Sequence, residues 1–161
     1  RDRDVTGVQT CALPISEKYK KATQDFLNLV NRISPNQLDN ADKEGWTPRQ
    51  VIHHLADSEA QSYSRLRRLI AEPGSLIQGY DENKWAESSK LGYKSEDVQS
   101  SLEVFKAVRQ ASYELIKRLS EKDLEIEGTH SESGAYSVGK WIKTYTNHPL
   151  DHANQIREQL K

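Results

Sequence analysis

The chain has 161 residues, of which 29% are charged, with a formal net charge of -1. That length suits one domain with a sizeable core, and the balanced charge gives no basic surplus to hold nucleic acid. No apolar run approaches the roughly 18 residues of a membrane span, and no signal-type apolar segment is visible near the start. A cytoplasmic protein that binds neither membrane nor nucleic acid is expected.

Residues 5–15, Val-Thr-Gly-Val-Gln-Thr-Cys-Ala-Leu-Pro-Ile, read as the translation of a sequencing-library adapter. Residues 1–15 are therefore expected to be a non-native segment, and residues 16–161 a single domain. Cys11, the one cysteine, falls in that segment and is set aside for redox or catalytic chemistry.

Four helices follow from period and end signals. In the first, Ser16 is a candidate N-cap, and Tyr19, Ala22, Phe26, Leu29, Val30 and Ile33 recur at helical spacing up to Ser34-Pro35. The second has the clearest start: Thr47 at N-cap, Pro48 at N1 and Gln50 at N3 form a capping box with a proline-set first turn. It runs through Val51, Ile52, Leu55, Ala56, Leu66, Leu69 and Ile70 to Pro73-Gly74. Residues 73–94 are a long connection whose Tyr80, Trp85 and Tyr93 suggest that it packs down over a site. Ser95 is the candidate cap of the third helix, with Val98, Leu102, Phe105, Ser112, Leu115, Ile116 and Leu119 as its buried stripe. A polar, glycine-containing stretch over 121–136 leads to Ser137, the cap of a last helix ending near Leu160. The pattern predicts an all-α, four-helix bundle, in which sites are built from side chains on facing helices.

The last helix carries the chemistry. Trp141, Tyr145, His148, His152 and Ile156 step by four, three, four and four, so one face presents both histidines of an H-x3-H pair. A third histidine from another helix, His53 or His54, would complete three neutral nitrogen ligands and leave one coordination position open, as in catalytic zinc-type sites. The bland alternative is a set of hydrogen-bonded core or surface histidines. Several histidines sharing one core without a common partner would be costly, at about 1–3 kcal/mol for each buried unpaired group. Pro149, between the pair, removes the N–H that would bond the Tyr145 carbonyl and should kink the helix. Asp57 and Gln155, each three residues after a candidate ligand, could accept the second ring N–H of His54 and His152. His130, in the polar stretch, is expected to be exposed. Di-iron Glu-x-x-His pairs, H-E-x-x-H, G-x-S-x-G, P-loop and dinucleotide fingerprints are absent as functional motifs.

The string Gly45-Trp46-Thr47-Pro48-Arg49-Gln50-Val51-Ile52-His53-His54-Leu55-Ala56-Asp57-Ser58, with the later H-x3-H and Tyr80-Asp81-Glu82-Asn83-Lys84-Trp85, resembles the DinB-like superfamily. Within it the chain looks most like the YfiT-type metal-dependent hydrolases, grouped with bacillithiol S-transferases. The resemblance spans residues 16–161 and implies a four-helix bundle, often a homodimer. It also implies a divalent metal, zinc or nickel, held by His54, His148 and His152. It thus points to a metal-dependent enzyme that activates a low-molecular-weight thiol such as bacillithiol (an S-transferase acting on a small electrophile) or water (a hydrolase). Asn147, Pro149 and Asp151 interrupt the subgroup's His-rich run. No side chain is singled out as the catalytic base. The competing expectation is a non-enzymatic metal- or ligand-binding bundle, stress-associated or a dimerisation scaffold.

Overall fold

The computed structural model describes residues 14–41 and 45–161. Of the adapter-like segment, residues 1–13 lie outside the described residues. Pro14 and Ile15 open the first helix, and Ile15 packs against the core.

Four long helices form the bundle: α1 (Pro14–Val30), α2 (Pro48–Ala71), α4 (Gln99–Ile116) and α5 (Val138–Gln159), with the short α3 (Glu82–Glu87) between α2 and α4. Two of the predicted starts are drawn as expected. Thr47 Oγ1 accepts from the N–H of Gln50 (3.2 Å) while Gln50 Oε1 accepts from the N–H of Thr47 (3.0 Å). Ser137 Oγ accepts from the N–H of Lys140 at 3.0 Å. The other two starts differ. α1 begins at Pro14, two residues ahead of the expected cap, so Ser16 is buried within its first turn. α4 begins at Gln99, not after Ser95; Asp97 Oδ1 accepts the Gln99 N–H at 2.7 Å. Ser95 and Glu96 instead close a turn onto the Gly92 carbonyl, at 3.1 and 2.9 Å.

α1 and α2 each pack on both α4 and α5. The chain-consecutive long pairs α1/α2 and α4/α5 therefore face one another across the diagonals, unlike an up-down bundle in which consecutive helices are neighbours. The connections that sequence reading left as loops carry a small sheet. β1 (Leu76–Ile77) pairs parallel to β2 (Glu127–His130), which pairs antiparallel to β3 (Gly134–Ser137). Gly128 is required where β1's lead-in crosses β2, since a Cβ there would lie 2.3 Å from the Ser75 carbonyl oxygen. Gly134, at φ +72°, sits in the left-handed region of the hairpin turn.

The core is in two apolar halves. One holds Tyr19, Leu66, Leu69, Tyr113, Ile116, Trp141 and Ile142; the other holds Phe26, Val51, Ile52, Leu55, Leu102, Phe105, Ala153 and Ile156. Between them lies a polar layer centred on Arg109 and Glu59, whose side chains are both 0% exposed and 2.9 Å apart. Arg109 also donates to Thr23 Oγ1 (2.8 Å), to the Tyr19 carbonyl (3.0 Å) and to the Tyr145 carbonyl (2.5 Å), and its guanidinium lies 3.6 Å from the Tyr19 ring centre. Ser62 Oγ donates to Glu59 Oε2 at 2.9 Å. One arginine thus ties all four long helices together.

The Tyr145 bond settles what Pro149 does. α5 runs unbroken through Pro149. The carbonyl deprived of its i+4 donor is the one to which Arg109 donates, so the expected break is replaced by a side-chain bond from α4. The i,i+4 relation of His148 and His152 survives.

Candidate metal centre

Three side chains converge at the end of this polar layer. His54 sits in the second turn of α2, behind the Thr47 capping box; His148 and His152 sit one turn apart on α5. His148 Nε2 lies 3.2 Å from His54 Nε2 and 3.2 Å from His152 Nε2. One ligand atom from each of the three lies within 4.8 Å of the others. Among the described residues this is the group that meets the requirements of a three-ligand cation site. All three histidines expected from the sequence are brought together.

The donor set fits a divalent metal. Two imidazoles sharing an ion at bond lengths of about 2.0–2.1 Å and near-tetrahedral angles have nitrogens roughly 3.1–3.4 Å apart, and the two short spacings fall in that interval. Burial pushes His54 down to about 3, with the charge on His152 adding to the effect. Burial likewise holds His148 well below its ordinary value and lowers His152, where the Gln155 side chain works against the shift. All three are therefore neutral near pH 7, which is the form that ligates. The Nδ1 atoms of His54 and His148 are buried without a hydrogen-bond partner. A cation on the Nε2 side does not pair these Nδ1 atoms; what it accounts for is the approach of three Nε2 atoms, since His148 Nε2 carries at most one proton to share between its two neighbours.

The surroundings divide the expected helpers. Gln155 Oε1 is 2.8 Å from His152 Nδ1, as the i+3 spacing predicted, and as acceptor it fixes the proton on Nδ1 and the lone pair on Nε2. Asp57 does not serve His54. Its Oδ2 accepts from the Tyr93 hydroxyl at 2.7 Å, because the carboxylate points toward the 73–94 connection rather than along the ring of His54. His53 faces α4, with Nδ1 2.8 Å from Ser101 Oγ and Nε2 3.2 Å from the Glu96 carbonyl. It fixes the turn before α4. His130 lies half-buried in β2, where Nδ1 accepts the Glu132 N–H at 3.2 Å, away from the cluster.

Aromatic groups close the sides. The Trp46 ring meets His54 edge-on at 4.8 Å, and Tyr145 meets His148 at 6.1 Å. The Tyr145 hydroxyl accepts from Arg65 at 3.0 Å. The 73–94 connection does pack over the site: Tyr80 and Trp85 rings lie 4.7 Å apart, and α3 brings Glu82 Oε2 to 3.7 Å from His54 Nε2. A cleft of about 270 Å³, lined by Gly45, Trp46, Glu82, Asn83, His152 and Gln155, reaches the cluster from solvent. The α3 carboxylate and the Arg109–Glu59 layer are the parts that sequence reading missed.

A family model described as the DinB superfamily matches residues 18–156. The chain belongs to the DinB superfamily. Superfamily relatives include a protein of Oceanobacillus iheyensis, 38% identical over 135 residues that cover 83% of this chain and 77% of that one. Another, from Bacillus mycoides, is 33% identical over 165 residues, covering 96% and 92%. Both are named as proposed metal-dependent hydrolases. The solved structure of YfiT from Bacillus subtilis superposes with a TM-score of 0.82 at 25% identity, over 99% of this chain and 90% of that one. It is described as a probable metal-dependent hydrolase with an unusual four-helix bundle topology. This DinB-superfamily chain shares that fold, and the diagonal placement of its consecutive helices sets it apart from up-down bundles.

Proposed function

We propose that this protein is a metal-dependent enzyme in which His54, His148 and His152 hold one divalent ion, zinc or nickel, through their Nε2 atoms. The observation that carries the reading is the convergence of three neutral imidazoles, His54 buried and His148 and His152 half-buried, with two Nε2–Nε2 spacings of 3.2 Å, on an open cleft. The names of the Oceanobacillus, Bacillus mycoides and Bacillus subtilis relatives support it. A divalent ion held by three neutral ligands supplies Lewis acidity at its remaining position, where it lowers the pKa of a bound thiol or water.

The chain's own residues do the rest. Gln155 locks the tautomer and orientation of His152. Trp46 and Tyr145 flank the imidazoles and limit water to the cleft side. The nucleophile is a small thiol, such as bacillithiol, or water. With a thiol, the S–H bond breaks and its proton leaves to solvent through the cleft, sulfur bonds to the electrophilic carbon, and the leaving group departs with the electron pair of its old bond. Of the two, thiol transfer is preferred here. The carboxylate beside the cluster, Glu82, is more than half exposed rather than held in a pocket, and a thiol, the more acidic nucleophile, depends on such a base less. The polar lining of the cleft suits a small hydrophilic substrate. Assembly as a cytoplasmic homodimer is part of the same proposal.

The test is metal content per chain of the untagged protein, beside His54→Ala, His148→Ala and His152→Ala. About one divalent ion per chain, lost in each variant with the helical spectrum retained, supports the site. No uptake of zinc or nickel by the wild type refutes it. A thiol-plus-electrophile screen with and without chelator then separates a transferase from a hydrolase, and no chelator-sensitive turnover in either leaves a non-catalytic metal-binding bundle.

A further inference from the structure

The α2–α4 connection contributes one charged group to the metal centre. α3 is held in place at three points: Asp81 Oδ1 accepts the Lys84 N–H at 3.1 Å, the Tyr80 ring packs tilted against Trp85, and Ala86 is buried. Glu82, the first residue of α3, is thereby aimed at the histidines, with Oε2 3.7 Å from His54 Nε2. That spacing exceeds the 3.2 Å between the imidazole nitrogens, and Glu82 is outside the group whose ligand atoms all lie within 4.8 Å of one another. The carboxylate stands beside the cluster rather than within it. It also stands on the open side. Tyr145 flanks His148, whereas Glu82 and Asn83, with Trp46 beside His54, wall the cleft by which a ligand enters. The Glu82 side chain is 56% exposed, and among the described residues its one ionisable partner of opposite type within 4.0 Å is His54. The carboxylate is thus free to meet an incoming group.

We infer that Glu82 is the specificity-determining residue of the site: it accepts a hydrogen bond from a protic ligand, an S–H or O–H, entering at the three histidines, and repels small anions that carry no such hydrogen. The inference rests on the three-histidine metal reading. An anion seated at the cluster lies beside the Glu82 carboxylate, and because the charge of the bound ion is common to every variant, the charge at position 82 decides the difference between them. A neutral thiol or water gains an acceptor at the same place. Unit charges about 4–5 Å apart near a surface, with the carboxylate half in solvent, correspond to roughly tenfold in affinity.

The experiment uses the full chain loaded with cobalt(II), whose visible absorption reports ligands at the open position. Cobalt stoichiometry is measured first, then azide and 2-mercaptoethanol are titrated into wild type, Glu82→Gln and Glu82→Lys. The expected result is one cobalt per chain throughout and azide affinity rising from wild type to Gln to Lys, the first step about tenfold. The gap should narrow in high salt, and 2-mercaptoethanol, which enters in its neutral S–H form, should depend less on the charge at position 82 than azide does. A mere disturbance of α3 would not order the variants by charge. Azide affinity that ignores the charge at position 82 overturns the inference while leaving the metal site standing. Loss of cobalt in Glu82→Gln also overturns it, because Glu82 would then be a ligand. A wild type that binds no cobalt overturns both.

Discussion

The pairing of Arg109 with the carbonyl exposed by Pro149 can be measured as a coupling energy. Arg109→Met removes the charge facing Glu59, whose side chain is fully buried and keeps Ser62 as its remaining donor. Breaking a buried pair from one side costs about 3–5 kcal/mol. Burial already raises the Glu59 carboxyl, so its protonation in the variant limits the loss toward the lower figure. The same change strands the Tyr145 carbonyl, which Pro149 cannot serve. A bond from a charged donor contributes about 1.5–3 kcal/mol. Pro149→Ala restores a backbone N–H to that carbonyl. In the wild-type background the carbonyl is already bonded, and the change reflects helix propensity set against the lost packing of the buried proline ring. In the Arg109→Met background the change includes those same terms plus rescue of the carbonyl. The difference between backgrounds isolates the rescue, and we expect about 1–2 kcal/mol. Urea unfolding of the four proteins, followed by far-UV circular dichroism in EDTA to remove metal linkage, gives the cycle. A coupling within about 0.5 kcal/mol of zero, at unchanged m-values, would refute the claim that Arg109 stands in for the missing helix donor.

Three further outcomes are expected. Burial holds His54 at about 3 and lowers His148 and His152, so the unfolded chain takes up protons that the native site refuses. Metal-free stability should be full above about pH 6.5 and fall as the pH drops toward 3. Urea midpoints across that range should show a slope that shrinks in His54→Gln, and an unaltered slope would contradict the burial argument. Thr47→Ala removes the acceptor of the capping box at the start of α2 and should cost about 1 kcal/mol in the same unfolding assay. Gln155→Ala frees His152 Nδ1 and should weaken zinc binding about 10–100-fold by competition titration, without loss of helix content. Unchanged affinity would mean that the amide does not orient the ligand.

What could be read beforehand was local. The Thr47 box, the Ser137 cap and the Trp141–Ile156 stripe depend on residues within a few positions of one another, and each appears as drawn. The exceptions are equally local. Ser16 and Ser95 are good capping residues by type, but Ser16 falls inside α1, and at the start of α4 it is Asp97 that accepts the Gln99 N–H. The sheet was not visible because β1 is two residues long and its partner β2 lies some fifty positions away. For Asp57, i+3 spacing permits a bond to His54 but does not compel it, and Tyr93 from the connection takes the carboxylate.

The Arg109–Glu59 layer left a trace that could have been followed. Residues 102, 105, 109, 112 and 116 form one helical stripe in α4, and 55, 59, 62, 66 and 69 another in α2. Arg109 and Glu59 occupy interior positions of those stripes with opposite charge, and a buried charge needs a partner. Reading the two stripes together would have paired them before any coordinates. It would also have resolved the weakest point of the histidine argument. A proline between two ligands threatens their alignment only if its orphaned carbonyl goes unserved, and a buried arginine on a facing helix is a donor able to serve it. The geometry of the metal centre on α5 therefore depends on α4, which contributes no ligand to it. That dependence explains how Pro149 can sit inside the H-x3-H pair without separating His148 from His152.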